Sequence, residues 1–311
     1  MRINNYLSVL MCQLNMTLDC NSRDEYLIQT DSIDKQILMA FKIMQEKNPD
    51  ITLFPEMAYL PKWDQNYKKL SEYGKIVVAG SYYNNGINKT VIFQDGRKYE
   101  ITKGYASGAE PMTRRITYIQ PNDFIMNELK DHEFWIKGKK IYILNCMEYY
   151  HAAYYIARNP EYKENLFAIM AICSNSNTSV FEEETIAIHN HNEKLYSFVL
   201  NCVSTYKGEE YGDGQSYIYG PISMHEKEWL RKDGFTTNER PTHILSLSKA
   251  HTQYLYGEFI DPDELSRFGR SDNYINNPRK ITLTTIENGG KQWWNKILLL
   301  QLVLLMKELT R

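Results

Sequence analysis

The sequence predicts a layered α/β domain, and three observations carry that expectation. Short apolar runs of strand length recur along the 311 residues, each bounded by turn signals. Between them lie segments whose apolar residues fall at helical spacing. No Pro/Gly/Ser-rich linker or repeat of solenoid period divides the chain. Strands alternating with helices are the pattern of sheets covered by helices.

The elements follow in order. Tyr6 to Leu14 is an apolar run of strand length, and Asp31 to Lys47 places Ile33, Ile37, Leu38, Ala40, Phe41 and Met44 on a helical stripe. Ile51 to Phe54 and Lys75 to Gly80 read as strands. Thr90 to Gln94 and Lys98 to Thr102 flank Asp95-Gly96, the strongest short hairpin signal. Lys140 to Asn145 is a strand that runs into Cys146. Ala152 to Arg158 and Glu182 to Lys194 read as helices. Leu166 to Cys173, Leu195 to Val203, Ser216 to Tyr219 and Tyr254 to Ile260 read as strands. Tyr206 to Asp213 is expected to be a solvated loop beside the cleft. Residues 1–285 are expected to form one domain, with 286–311 an appended helix after the Asn288-Gly289-Gly290 break. Within it ILLLQLVLLM is too short for a bilayer, which takes roughly 20 residues, and reads as a buried or partner-packed helix.

Composition narrows the partners. The chain is 43% hydrophobic and 24% charged, with 36 basic and 38 acidic residues and a net charge of −2. That balance points to neither nucleic acid nor an anionic membrane. Cys12, Cys20, Cys146, Cys173 and Cys202 are odd in number and lack metal-ligand spacing, so no metal is expected. Cys12, Cys173 and Cys202 sit in apolar segments and read as small hydrophobes. The amino terminus lacks the pattern of a signal peptide, and a reducing cytoplasm fits the cysteine usage.

Three residues share a placement at or just past the C-terminal end of a strand. Glu56 ends ITLFPE, Lys103 ends KYEITK and Cys146 ends KIYILNC. Ligands of open α/β sheets bind off those strand ends, so an acid, an amine and a thiol could converge in one cleft. A carboxylate can take the thiol proton, and an ammonium favours thiolate and oxyanion. Each residue alone is weak evidence, and their joint occurrence raises the odds. His189 and His191, two apart without a third ligand in register, read as polar helix surface. Arg114, followed by Arg115, could clamp an anionic substrate, although surface is the commoner place for such a pair.

With these residues in place the chain resembles the nitrilase, or carbon–nitrogen hydrolase, superfamily nearly end to end. Leu10 to Asn15 is similar to its opening strand with a characteristic glutamine, and Phe54-Pro55-Glu56 to its general-base motif. VVAGS at Val77 to Ser81, Asn88-Lys89-Thr90 and Asp95-Gly96 resemble the elements before its catalytic lysine, where Lys103 sits. Glu110 resembles its auxiliary glutamate and Cys146-Met147-Glu148 its nucleophile motif. Phe198 to Val203 and Gly214-Gln215-Ser216, ending at Gly220-Pro221, resemble its late strand and following turn. Met147 replaces an aromatic residue, and the run after the motif is EYYHAAYY, departures that bear on the substrate.

The resemblance implies a four-layer α-β-β-α sandwich and a cysteine hydrolase that needs no cofactor. Its Cys146 attacks an amide, carbamoyl or nitrile carbon through a thioester. Glu56 is the base, Lys103 holds the oxyanion, and Glu110 positions lysine and substrate. Glu148, Tyr149, Asn175 and Arg114 are expected to contact the substrate. It implies a homo-oligomer, dimer or higher. A catalytically silent or regulatory module on this fold, or an N-acyltransferase, is the alternative.

Overall fold

The computed structural model describes residues 6–21, 25–105, 124–125, 128–191, 194–221, 243–247, 249, 251–262, 280–286 and 296–297. In chain order the elements are β1 (Tyr6–Gln13), β2 (Asn15–Cys20), β3 (Tyr26–Ile28), α1 (Thr30–Lys47), β4 (Ile51–Leu53), α2 (Asp64–Leu70), β5 (Ile76–Asn84), β6 (Ile87–Gln94) and β7 (Arg97–Thr102). The second half holds β8 (Glu133–Ile136), β9 (Lys139–Asn145), α3 (Met147–Arg158), the short α4 (Pro160–Lys163), β10 (Leu166–Cys173), α5 (Ser179–His191) and β11 (Tyr196–Asn201). Then come β12 (Val203–Tyr206), β13 (Glu209–Asp213), β14 (Tyr217–Tyr219), β15 (His243–Ser246), β16 (Thr252–Ile260), β17 (Lys280–Ile286) and β18 (Lys296–Ile297).

Two large sheets carry the fold. One has the order β18-β17-β16-β1-β4-β5-β6-β7 and the other β15-β14-β11-β10-β9-β8. At the centre of each, strands run parallel: β1 with β4 and β5, and β9 with β10 and β11. Parallel strands are covered on both faces and read as unbroken apolar runs, which is what LFAIMAIC of β10 shows, every residue buried. Alternation sorts their side chains. Ile141, Ile143, Met170, Phe198 and Leu200 of the second sheet pack with Val9, Leu53, Val78 and Phe259 of the first in one apolar cluster between the sheets. The opposite faces pack against helices: Leu10, Phe54 and Val77 meet Ile33, Ile37 and Phe41 of α1. Leu144, Ile169 and Val199 meet Ala153 and Ile156 of α3 and Ile188 of α5. The mixed α/β class is thus as expected.

Local signals explain several boundaries. Helix α1 stops at Asn48, left-handed at φ 52°, whose N–H caps the Met44 carbonyl. Asp95 and Gly96 both have positive φ, 51° and 72°, the type I′ geometry that matches strand twist.

Some expectations change. Tyr206 to Asp213 is not a solvated loop: β12 and β13 pair as a hairpin within a small sheet ordered β13-β12-β2-β3. The strand expected over Leu195 to Val203 is two strands, because Asn201 breaks it. Its side-chain amide donates to the carbonyls of Asn175 and Gly214 and to Asp213 Oδ1, and β12 leaves for the small sheet. Helix α3 begins at Met147, five residues before the apolar stripe that predicted it. His189 is buried, 2% exposed, with Nε2 on Ser197 Oγ at 3.0 Å, and burial lowers its pKa to about 3. Most of 286–311 lies outside the described residues. Lys296–Ile297 pair antiparallel with β17 as strand, where a helix was expected. Among the described residues no helix is long and apolar enough to cross a membrane.

Candidate active site

Glu56 stands three residues past β4, in a segment where backbone contacts replace the ladder. The Phe54 N–H donates to the Val78 carbonyl at 2.8 Å, and the Met57 N–H to Ser81 Oγ at 3.1 Å. The segment lies so close to β5 that a Cβ on Gly80, at φ 98°, would sit 2.5 Å from the Pro55 carbonyl oxygen. Glycine is required there by both backbone angle and space.

The Glu56 carboxylate is buried and accepts hydrogen bonds on both oxygens. Oε1 accepts from Lys103 Nζ at 2.8 Å and Asn88 Nδ2 at 3.0 Å, and Oε2 accepts from the Ser174 N–H at 3.1 Å. The side chains of Lys103 and Glu56 are 2% and 3% exposed. Lys103 follows β7, and its N–H donates to the Asn88 carbonyl at 2.8 Å. Asn88 therefore holds the lysine by its backbone and the glutamate by its side chain.

Cys146 comes from the other sheet. It follows β9, takes φ 52° and ψ −110°, and is the N-cap residue that precedes α3. A non-glycine residue at positive φ in a strand-to-helix turn is strained and is held by its surroundings. The Cys146 N–H donates to the Ile172 carbonyl at 2.9 Å, and its carbonyl accepts the Tyr149 N–H at 2.9 Å. The first N–H groups of a helix lack intrahelical acceptors and favour negative charge at this end.

Glu148 joins the two halves. Its Oε1 accepts the Gly104 N–H at 2.6 Å and its Oε2 the Asn145 N–H at 2.7 Å. The lysine-bearing and cysteine-bearing segments thus hang on one carboxylate. His132 lies beside it, Nδ1 3.7 Å from Oε2 and 2.9 Å from the Ile143 carbonyl. Across the sheets, Asn145 Nδ2 donates to Thr90 Oγ1 at 3.0 Å.

Cys173 completes the cluster. Its thiol is pushed well above the usual range, chiefly by burial, then by the neighbouring Cys146 and the charge of Glu56, with Lys103 pulling it down. Cys173 is thus influenced by Cys146, Glu56 and Lys103 alike. Cys12 and Cys202 are also buried as expected, and burial pushes Cys202 up to about 12.

The eight expected site residues divide as follows. Glu56 and Lys103 pair directly, and the segments that carry Lys103 and Cys146 are joined through Glu148. Glu110 and Arg114 lie outside the described residues. Glu148 is 0% exposed and Tyr149 likewise. The first is taken up by backbone N–H groups, and the second packs in the helix-side core with its hydroxyl on Thr185 at 2.7 Å. Both have structural partners where substrate contacts were expected. Asn175 is half-buried after β10, its Oδ1 accepting the Asn177 N–H at 2.8 Å. Sequence reasoning missed the roles of Asn88, Ser174, His132 and Cys173. Of these only Asn88 carried a signal, through the Asn-Lys-Thr step. Among the described residues no group of three or more His, Cys, Asp and Glu side chains could hold a metal ion.

No family model matches the sequence, and no curated protein matches it at a significant level. Solved structures do match. XC1258 of Xanthomonas campestris, a CN-hydrolase superfamily protein with an arsenic adduct in its active site, is similar with a TM-score of 0.57 and 10% identity, over 84% of this chain and 93% of that one. Saccharomyces cerevisiae Nit3, a member of branch 10 of the nitrilase superfamily, is similar with a TM-score of 0.53 and 13% identity over 88% and 96%. The C. elegans NitFhit protein is similar with a TM-score of 0.54 and 10% identity over 88% and 66%. At these identities the likeness speaks for architecture, and the chain has the fold of the nitrilase, or carbon–nitrogen hydrolase, superfamily.

Proposed function

We propose that this chain is a cysteine hydrolase that cleaves a non-peptide carbon–nitrogen bond in a small amide, carbamoyl compound or nitrile. The observation that carries the reading is the buried Glu56–Lys103 pair, 2.8 Å apart, met by Cys146 from the facing sheet through the shared Glu148 carboxylate. Cys146 Sγ attacks the electrophilic carbon while Glu56 takes its proton. Lys103 and the first N–H of α3 hold the negative oxygen or nitrogen that develops, an electrostatic contribution larger in a dry site than in water. With an amide, the carbon–nitrogen bond breaks and Glu56 returns the proton to the leaving ammonia or amine. Glu56 then deprotonates a water that hydrolyses the thioester. Glu110 is proposed to position Lys103, and Asn175 and Arg114 to contact the substrate.

The test is ammonia release from a panel of amides, ureides and nitriles. Cys146→Ala should abolish any activity found, and Glu56→Gln should lower it by about 10²–10⁴-fold. Release that survives Cys146→Ala sinks the assignment. The burial of all three side chains also favours a second reading, a silent module on the same fold. Fast, selective alkylation of Cys146, suppressed by Glu56→Gln, speaks for the enzyme. Slow labelling of all five cysteines alike speaks for the module.

A further inference from the structure

Cys146 has a thiol neighbour that hydrolysis does not use. Strands β9 and β10 run parallel with Asn145 opposite Ile172, and Cys146 and Cys173 each follow that pair by one residue. The 2.9 Å bond from the Cys146 N–H to the Ile172 carbonyl holds the two strand ends together at that point. Both side chains pack on the helix-covered face. Cys146 and Cys173 belong to the cluster of Leu144 and Ala171, whereas Ile143 and Ile172 belong to the cluster between the sheets. Cys146 is among the groups that raise the Cys173 pKa, after burial. Adjacent strands lie about 4.8 Å apart, within the Cα separation of about 4.4–6.8 Å that a disulfide spans.

We propose that Cys146 and Cys173 form a redox-linked dithiol, in which a peroxide oxidises Cys146 and Cys173 closes the product into an intramolecular disulfide. The Cys146 thiolate attacks a peroxide oxygen, the O–O bond breaks, and hydroxide leaves and is protonated to water. The Cys173 sulfur then attacks the resulting sulfenic acid. The S–S bond forms, the S–O bond breaks, and hydroxide leaves with the Cys173 proton as a second water. Two thiols are oxidised and one hydrogen peroxide is reduced to two waters. Glu56, whose charge reaches Cys173, is placed to relay that proton. The disulfide stops Cys146 short of the sulfinic acid, which is not reversed by thiols. The effect on turnover rests on the hydrolase reading, whereas the cross-link itself does not.

The reduced full-length protein is exposed to hydrogen peroxide, alkylated without reductant and digested for mass analysis. The expected result is one peptide pair joined through Cys146 and Cys173, lost on adding dithiothreitol and formed before any change at Cys12 or Cys202. The Cys173→Ser variant should instead accumulate Cys146 as a dimedone-reactive sulfenic acid and then sulfinic acid. Should that variant fail to fold, the wild-type peptide map decides alone. Direct passage of wild-type Cys146 to sulfinic acid with no joined peptide overturns the proposal. It leaves the hydrolase reading standing, since that is judged by ammonia release from reduced protein. A joined peptide in a chain that hydrolyses nothing supports the dithiol and sinks only the hydrolase reading.

Discussion

At Glu56 and Lys103, two charges that water would hold separately are buried 2.8 Å apart, and neither is tolerable without the other. Removing one partner of a buried pair leaves an uncompensated charge, at about 3–5 kcal/mol. Lys103→Met should therefore lower the unfolding free energy in urea by that order, and the double variant with Glu56→Gln should recover part of the loss. Full additivity of the two variants would refute the coupling. His189 offers a pH test at the same scale. Its folded pKa is depressed to about 3 while the unfolded chain titrates near 6.5, so the unfolded state binds the extra proton between those values. Its contribution to stability is complete above about pH 6.5 and is lost as pH falls toward 3, by up to about 1.4 kcal/mol per unit. His189→Gln should flatten the acid limb of stability against pH by about one proton, and an unchanged slope would contradict the buried neutral ring.

Between elements, single groups hold segments in place. Gly80 lets the Pro55-Glu56 segment lie against β5, and any Cβ there meets the Pro55 carbonyl oxygen at 2.5 Å. Gly80→Ala should cost more than the roughly 1 kcal/mol of an ordinary glycine replacement, since φ and space both oppose it. It should also slow Cys146 alkylation, by moving the base. Glu148 is the other joint, because it satisfies buried N–H groups on two segments. Glu148→Ala orphans both, each at about 1–3 kcal/mol. The expected outcome is a loss of several kcal/mol in denaturant unfolding, with Glu148→Gln intermediate because one acceptor survives. An alanine variant of wild-type stability would mean that these N–H groups find other partners.

Over the whole molecule, the candidate site exists only while two sheets face each other. Glu56 and Lys103 hang from one, Cys146 and Ser174 from the other. Phe198 of β11 and Phe259 of β16 meet edge to face across that interface with centroids 4.9 Å apart. Phe198→Ala should cost about 3–5 kcal/mol. If sheet packing holds the site, it should also reduce the selectivity of Cys146 labelling although Phe198 and Cys146 pack in different clusters. Unaltered selectivity in a destabilised variant would show that Glu148 and Asn88 suffice.

Sequence alone determined the elements and the chemical inventory, because both are written in short stretches of chain. The buried run of β10, the stripe of α1 and the Asp95-Gly96 turn are local periodicities, and Glu56, Lys103 and Cys146 are marked by the strands that end at them. Tertiary structure decided which groups meet. The Ser174 N–H reaches Glu56 across 118 positions of chain, Asn88 reaches it across 32, and Glu148 reaches Gly104 across 44. It also turned Tyr206 to Asp213 into a hairpin and sent His189 inward. The physical reason is that burial and hydrogen-bond partnership belong to pairs of distant segments. A backbone donor such as Ser174 carries no side-chain signal, and a cysteine such as Cys173 reads as a small hydrophobe until its neighbour is known.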